Sequence, residues 1–184
     1  MLGFKFRMII QMLLIFLLAS CNENIVFTPE YISDGFDMPV GKPDAKGYIN
    51  KQKFTVNNHL GEDWNGVGGG NSDLGDPIYS ISNGYIKSAK NIGGDWGNVI
   101  RIIHTTPNGK QYESLYAHCD KILVKKGSWV EKGQAIGTIG NNNGQYWAHL
   151  HFEVRDDIDM NIGGGYSWWT WGYLNPTNFI KNNR

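Results

Sequence analysis

The sequence is poor in cysteine and carries no net charge. Cys21 and Cys119 are the only cysteines among 184 residues, so we expect no framework of disulfide bonds. The 17 acidic residues balance the 17 lysines and arginines, and a neutral chain has no positive field to steer nucleic acid. Internal repeats and low-complexity blocks are also missing. The sequence therefore argues against a disulfide-stapled scaffold, a repeat protein and a nucleic-acid-binding protein.

Long helical patterns are absent too, and short strand-like segments take their place. The 24 glycines and the frequent aromatic residues favour many short strands joined by tight turns. Apolar or alternating segments cover residues 98–104, 111–117, 134–139 and 148–154. We therefore predict one all-β domain, an antiparallel β-sheet or sandwich with few short helices.

Two Asn-Gly pairs are predicted turns. Asn83-Gly84 lies between the strand-like residues 77–82 and 85–89, which predicts a two-residue hairpin joining them. Asn108-Gly109 is expected to turn the chain between the strands on either side of it.

The first residues have the features of an export signal. Lys5 and Arg7 precede an apolar run at residues 8–18, which is too short for a comfortable transmembrane helix. Residues 18–21, Leu-Ala-Ser-Cys, resemble the bacterial lipoprotein signal, in which the cysteine becomes the lipidated first residue. We predict a signal peptide at residues 1–20 and a lipid on Cys21 that anchors the exported protein to a bacterial membrane. Ordinary secretion with cleavage nearby is the alternative.

The remaining chain divides into a tether and a domain. Residues 21–35 lack periodicity and are interpreted as a tether, and residues 36–184 as the domain. Residues 36–54 are expected to form an irregular lead-in that lies against the domain. The tryptophan-rich residues 166–173 could line a substrate groove or cover the end of the core, and we favour the cover.

The chemistry centres on the segment Ala148-His149-Leu150-His151-Phe152-Glu153-Val154. In a strand, its alternation puts both histidines on one face and the apolar residues on the other. Two imidazoles one residue apart can form part of a divalent metal site. Two solvated histidines on a polar strand face would give the same pattern.

A second pair of candidate ligands precedes the strands. His59 and Asp63 are four residues apart and can both reach one ion, and the glycines around them favour a loop. The helical His-Glu-x-x-His pattern of other zinc proteases is absent. The glycine-rich run at residues 65–71 lacks the Gly-Lys-Ser/Thr ending of a phosphate loop.

A further histidine, His118, ends the strand-like segment Leu115-Tyr116-Ala117-His118. A Cys–His nucleophile with Cys119 is disfavoured because adjacent strand residues point to opposite sides. We interpret Cys119 as a partly buried structural thiol. By itself His118 would more often be a surface residue than a catalytic one.

Together these positions supply four imidazoles and one carboxylate. A catalytic zinc needs three protein ligands and an open position for water, whose pKa the metal lowers. The two remaining histidines could accept a proton or hold a developing oxyanion. Spacing alone leaves open which of His149 and His151 binds the metal.

Three motifs resemble those of the M23 family of lysostaphin- and LytM-type zinc endopeptidases, which cut peptidoglycan peptides. The motifs are His59-x-x-x-Asp63, Tyr116-Ala117-His118 and His149-Leu150-His151-Phe152-Glu153. The segments 75–79, 94–100 and 132–137 and the closing residues 175–180 are similar as well, so the resemblance runs from about residue 36 to the end. It implies the duplicated-hybrid-motif fold of that family.

The resemblance also implies roles. It makes His59, Asp63 and His151 the zinc ligands, and His118 and His149 the residues that act on the water and the tetrahedral intermediate. His104 occupies a strand position where the family often has a histidine, and we treat it as structural or peripheral. A peptidoglycan peptide is the implied substrate.

Three departures from the family pattern affect specificity. Residues 64–74 look longer than in the shortest members and are expected beside the metal site. Trp147-Ala148 stands where Gly-Pro is common, and residues 141–144 replace a Ser/Thr-Gly run. The leading hypothesis is a lipid-anchored zinc endopeptidase of the cell wall. A non-catalytic regulator of other wall hydrolases and a zinc peptidase with a protein substrate are the alternatives.

Overall fold

A computed structural model describes residues 31–184. The predicted signal peptide and Cys21 lie outside the described residues. Residues 31–35, the end of the expected tether, lie against the domain. The buried Ser33 donates from its backbone N–H to the Thr105 carbonyl and from its hydroxyl to the Asn83 carbonyl. The Tyr31 ring stacks on Trp129, with 4.6 Å between the ring centroids.

Antiparallel strands dominate the described chain, which confirms the predicted all-β class. Ten strands share one sheet: β1 (Tyr48–Gln52), β2 (Glu62–Gly66), β3 (Pro77–Tyr79), β4 (Gly84–Gly93), β5 (Gly97–Thr105), β6 (Gln111–Ile122), β7 (Trp129–Val130), β8 (Ala135–Ile139), β9 (Leu150–Arg155) and β10 (Tyr173–Leu174). Short helical turns lie at Gly41–Ala45, Val56–Asn58 and Gly94–Trp96. The helix α1 (Pro176–Asn182) begins with an Asn175 cap whose side chain accepts from the Asn178 N–H. Within residues 31–184, no helix is long and apolar enough to cross a membrane.

The order of the strands brings the sequence motifs together. Along the sheet the strands run β1-β2-β9-β6-β5-β4-β7, while β10 pairs with β9 and β8 joins β3 to β6. Asp63 of β2 lies opposite His151 of β9, and His151 lies opposite Ala117 of β6. Motifs far apart in sequence therefore meet on three adjacent strands.

The predicted hairpin at Asn83-Gly84 is wrong. Strand β3 pairs with β8, and β4 pairs with β5 and β7. The Asn83 side chain accepts from the Lys132 N–H and donates to the Ile32 carbonyl, so it joins three segments. A Cβ on Gly84 would lie 2.6 Å from Ile102 Cγ2, so this glycine permits close strand packing and does not form a tight turn.

The turn predicted at Asn108-Gly109 is confirmed. Strands β5 and β6 are antiparallel neighbours, with Thr105 opposite Gln111, and residues 106–110 connect them. The Thr106 N–H donates to the Lys110 carbonyl and closes this loop. A tight connection of this kind lets two long strands pair directly.

The core lies on one face of β9 and its neighbours. Leu150, Phe152 and Val154 are fully buried in it, as the alternation of this segment predicted. The lead-in residues also contribute, because Phe36 is buried with its ring 4.8 Å from that of Phe179. The lead-in lies against the domain as expected, although it includes the strand β1.

The favoured interpretation of the tryptophan-rich tail is wrong. Trp168, Trp169 and Trp171 are exposed at 79%, 60% and 65% of their surface, so they do not cover the core. In the same segment, Tyr166 pairs with His59 through an isolated β-bridge. The tail therefore reaches the region of the first motif, while its tryptophans face outwards.

Candidate metal centre and substrate groove

The structure brings together all five residues predicted to form the site. Asp63 lies on β2, His118 on β6 and His151 on β9, while His59 and His149 each occupy an isolated bridge beside these strands. The expected loop around Asp63 is therefore a strand. Pairing of this strand with β9 fixes the carboxylate beside His151.

Three donor atoms converge in what we call the donor triangle: His59 Nε2, Asp63 Oδ1 and His151 Nδ1. Their separations are 2.9 Å between the two nitrogens, 3.3 Å from His59 to Asp63 and 3.1 Å from His151 to Asp63. A tetrahedral zinc ion with bonds of about 2.0–2.1 Å needs ligand atoms roughly 3.3 Å apart. The donor triangle has the size and the ligand types of such a site.

The protonation of the triangle also fits a cation. His151 Nε2 lies 3.0 Å from Glu153 Oε1 and donates to this buried carboxylate, so Nδ1 is the nitrogen that faces Asp63. Burial opposes a charge on His151, but hydrogen bonds to Asp63 and Glu153 outweigh it and raise its pKa to about 9. For Asp63, hydrogen bonds to His151 and His59 likewise outweigh burial and lower the pKa. Two carboxylates around one imidazole stabilise added positive charge.

The other two histidines lie beside the donor triangle. His149 Nε2 is 4.0 Å from Asp63 Oδ1, farther than either member of the triangle. The His118 ring centroid lies 4.8 Å from that of His149 and 5.7 Å from that of His151. Burial and the neighbouring His149 lower the pKa of His118 to about 3, so its imidazole is neutral near pH 7.

A β-bulge aims His118 at this group. His118 has a φ of 62°, and the pairing of β6 with β5 shifts register between Asn98–Cys119 and Ile100–Tyr116. Such bulges redirect side chains next to active sites. Cys119 is buried, and burial raises the pKa of its thiol to about 12, as befits a structural residue. The fifth histidine, His104, is buried with Nε2 2.7 Å from the Ser114 hydroxyl, in the structural role expected.

A groove of about 770 Å³ opens over four of the five residues, Asp63, His118, His149 and His151, while His59 is buried. Its walls are glycine backbone and aromatic rings, contributed by Gly93, Gly94, Trp96, Tyr146, Gly164, Gly165 and Tyr166. Residues 64–74, which were expected beside the metal site, do not line this groove. Instead, Asn71 accepts a hydrogen bond from the Ala148 N–H, so that segment supports the start of the His149–His151 motif.

The sequence analysis assigned no role to several of these residues, although Glu153 is part of the third motif. Glu153 stands two residues after His151 on the same strand face, and this spacing was an available signal. Trp96 and Tyr146 come from connections between strands, whose positions carry no periodic signal. The Trp96 ring lies 5.4 Å from His151 and 6.5 Å from His118.

Gly61 offers a test of how tightly the donor triangle is supported. A Cβ there would lie 2.6 Å from the Phe152 carbonyl oxygen and 3.0 Å from His151 Cε1. We expect Gly61→Ala to displace His151 and to weaken zinc binding about tenfold or more, measured by competition with a chromophoric chelator. Gly164→Ala is the control, because a Cβ there meets nothing within 4 Å. Equal zinc affinity in both variants would contradict this account.

Comparisons with known proteins find related sequences and a related fold. The chain is 40% identical over 81 residues to lipoprotein NlpD of Yersinia enterocolitica, a match covering 44% of this chain and 78% of that protein. It is 38% identical over 81 residues to the peptidoglycan DD-endopeptidase ShyA of Vibrio cholerae, covering 44% of this chain but only 18% of ShyA. The catalytic domain of lysostaphin from Staphylococcus simulans superposes with a TM-score of 0.50 at 27% identity, covering 80% of this chain and 89% of that domain.

The family assignment follows from the extent of the match. The family model for peptidase family M23 matches residues 58–162, which include all five site residues and more than half of the chain. The antiparallel β fold is also that of the lysostaphin domain. By both sequence and fold, this chain belongs to peptidase family M23.

Proposed function

We propose that this protein is a zinc-dependent endopeptidase that hydrolyses peptide bonds in peptidoglycan cross-links. The observation that carries the proposal is the convergence of His59, Asp63 and His151 beside a groove that Asp63, His151 and the two further histidines line. The similarity to ShyA, named for its activity on peptidoglycan, supports the substrate class. The lipoprotein named among the relatives supports a lipid anchor at Cys21 on the periplasmic or extracellular face of a bacterial membrane.

In this proposal, His59 Nε2, Asp63 Oδ1 and His151 Nδ1 hold the zinc ion. A zinc ion bound there supplies a Lewis acid and lowers the pKa of water. Glu153 accepts from His151 Nε2 and so keeps the Nδ1 lone pair available. The groove binds the peptide and holds the scissile bond next to the donor triangle.

In this proposal, His118 and His149 transfer the proton of the attacking water. Both flank the donor triangle, and His118 is neutral near pH 7 because burial and His149 lower its pKa to about 3. A neutral imidazole takes up a proton from the attacking water and returns it to the leaving amine. Once protonated, the same ring donates a hydrogen bond to a developing oxyanion.

The decisive experiment combines metal removal with substrate analysis. We expect the full chain to release peptide-cleaved fragments, identified by mass spectrometry, from sacculi of at least one cross-link type. A chelator should abolish this release and equimolar zinc should restore it, because the ion supplies the electrophile. His118→Ala, which leaves the donor triangle intact, should bind zinc but release nothing.

One result would contradict the enzyme proposal. A full chain that carries one zinc ion yet releases nothing from sacculi of several chemotypes would favour the non-catalytic regulator. In that case, the same protein should stimulate a separate wall hydrolase when the two are mixed.

A further inference from the structure

Two connections between strands are joined along one wall of the groove. Asn142 Nδ2 donates to the Gly94 carbonyl, and Gln145 Nε2 donates to Asp95 Oδ1. The Tyr146 hydroxyl donates to the Asp95 backbone carbonyl at 3.0 Å. The loop at residues 141–147 is therefore fixed to the helical turn before β5, next to His118.

The Tyr146 hydroxyl lies between His118 and Asp95, and only one arrangement of protons makes hydrogen bonds to both. It lies 2.6 Å from His118 Nδ1 as well as 3.0 Å from the Asp95 carbonyl oxygen. A carbonyl only accepts, and a hydroxyl has a single proton. If that proton goes to Asp95, both contacts become hydrogen bonds only when His118 Nδ1 carries a proton and donates to the tyrosine oxygen. If the hydroxyl proton goes to His118 Nδ1 instead, the tyrosine oxygen and the Asp95 carbonyl oxygen face each other at 3.0 Å as two acceptors, which is unfavourable.

The next residue along the loop acts in the same way on the other histidine. His149 Nδ1 lies 2.8 Å from the backbone carbonyl of Trp147 and must donate to it. In the neutral form of the imidazole, this contact puts the proton on Nδ1 and leaves Nε2, the atom 4.0 Å from Asp63, without one. Consecutive loop residues thus contact the Nδ1 atoms of both histidines outside the donor triangle.

We propose that Tyr146 is a positioning residue that holds His118 as the Nδ1–H tautomer by a relay from His118 through the tyrosine hydroxyl to the Asp95 carbonyl. With Trp147 acting on His149, one loop then leaves Nε2 of both neutral imidazoles without a proton, so that each Nε2 can accept one. The kinetic consequence rests on the proposed function, whereas the tautomer itself can be measured without any substrate.

The tautomer is tested by NMR of the zinc-loaded full chain in detergent micelles, labelled with ¹⁵N in its histidine rings. The chain has only five histidines, so single substitutions assign each ring. We expect His118 in the wild-type protein to show a protonated Nδ1 and an unprotonated Nε2. In Tyr146→Phe, which keeps the ring and removes the hydroxyl, both nitrogens should shift towards the averaged positions of a tautomer mixture.

A matched variant separates positioning from a general loss of structure. Tyr48→Phe also removes a tyrosine hydroxyl, one that donates to Asp76 at 2.7 Å, and Tyr48 does not line the groove. It should leave the His118 signals unchanged. A wild-type His118 protonated on Nε2, or an unchanged His118 spectrum in Tyr146→Phe, would overturn the proposal.

The kinetic consequence is measured with a soluble cross-linked muropeptide. We expect Tyr146→Phe to lower kcat about 10- to 100-fold at unchanged KM and zinc content, as outer partners of active-site histidines do. Wild-type kcat in Tyr146→Phe would overturn the catalytic part of the proposal. If even the wild-type protein fails to cleave, the proposed function fails, while the tautomer measurement still decides the role of Tyr146.

Discussion

Replacing His151 with alanine is expected to remove bound zinc and peptide hydrolysis together. The substitution deletes one corner of the donor triangle and leaves His59 and Asp63 with a single pair of donor atoms 3.3 Å apart. Loss of the metal removes several kcal/mol of transition-state stabilisation, which corresponds to a roughly 1,000-fold or greater fall in rate. Zinc content by atomic emission and fragment release from sacculi measure the two losses.

His149→Ala is the informative partner of this variant. Its Nε2 lies outside the donor triangle, 4.0 Å from Asp63, so the variant should retain zinc while losing hydrolysis. The pair of variants separates metal binding from proton transfer within one short motif. Hydrolysis by His151→Ala without bound metal would refute the zinc mechanism, and loss of zinc from His149→Ala would reassign the ligands.

Among the substitutions proposed for this protein, Glu113→Gln is expected to lower the free energy of unfolding most. Glu113 is fully buried on β6 and pairs with Lys87 at 3.0 Å, Arg101 at 2.7 Å and Arg155 at 3.5 Å. Removing one partner of a buried ion pair leaves an uncompensated charge and costs about 3–5 kcal/mol. We expect the free energy of unfolding, measured by urea denaturation, to fall by this amount.

The control for Glu113 is an ion pair on the surface. Lys132 lies 3.2 Å from Asp34, whose side chain is 74% exposed. Asp34→Asn should change the free energy of unfolding by less than about 1 kcal/mol, because water screens exposed pairs. Similar losses in the two variants would show that burial of Glu113 adds nothing to its pairing.

The cations paired with Glu113 also bind the segment that leads to the groove. Arg101 donates to the Met160 carbonyl at 2.7 Å, and Arg155 donates to the carbonyls of Asn161 and Ile162. Lys87 also donates to the Ile158 carbonyl. These cations hold the segment that leads to the groove wall at Gly164–Tyr166, so a disturbed network should also change substrate binding.

The sequence by itself determined the fold class and the five residues at the site. Alternation with a period of two is a local property of β9, so Leu150 and Phe152 could be assigned to the core before any pairing was known. Spacing left His149 and His151 as alternative ligands, and the resemblance of the three motifs to the M23 family implied the set His59, Asp63 and His151. The family match over residues 58–162 includes all five of these positions.

Only the tertiary structure decided which segments are neighbours. The Asn83-Gly84 pair has the composition of a hairpin turn, yet β3 pairs with β8, because strand pairing depends on the whole sheet and not on one turn. The contacts of Tyr146 with His118 and of Arg155 with Glu113 likewise depend on how loops and strands meet in space. Hydrogen-bond partners are set by distances of about 3 Å between atoms, and residue spacing along the chain does not encode those distances for irregular segments.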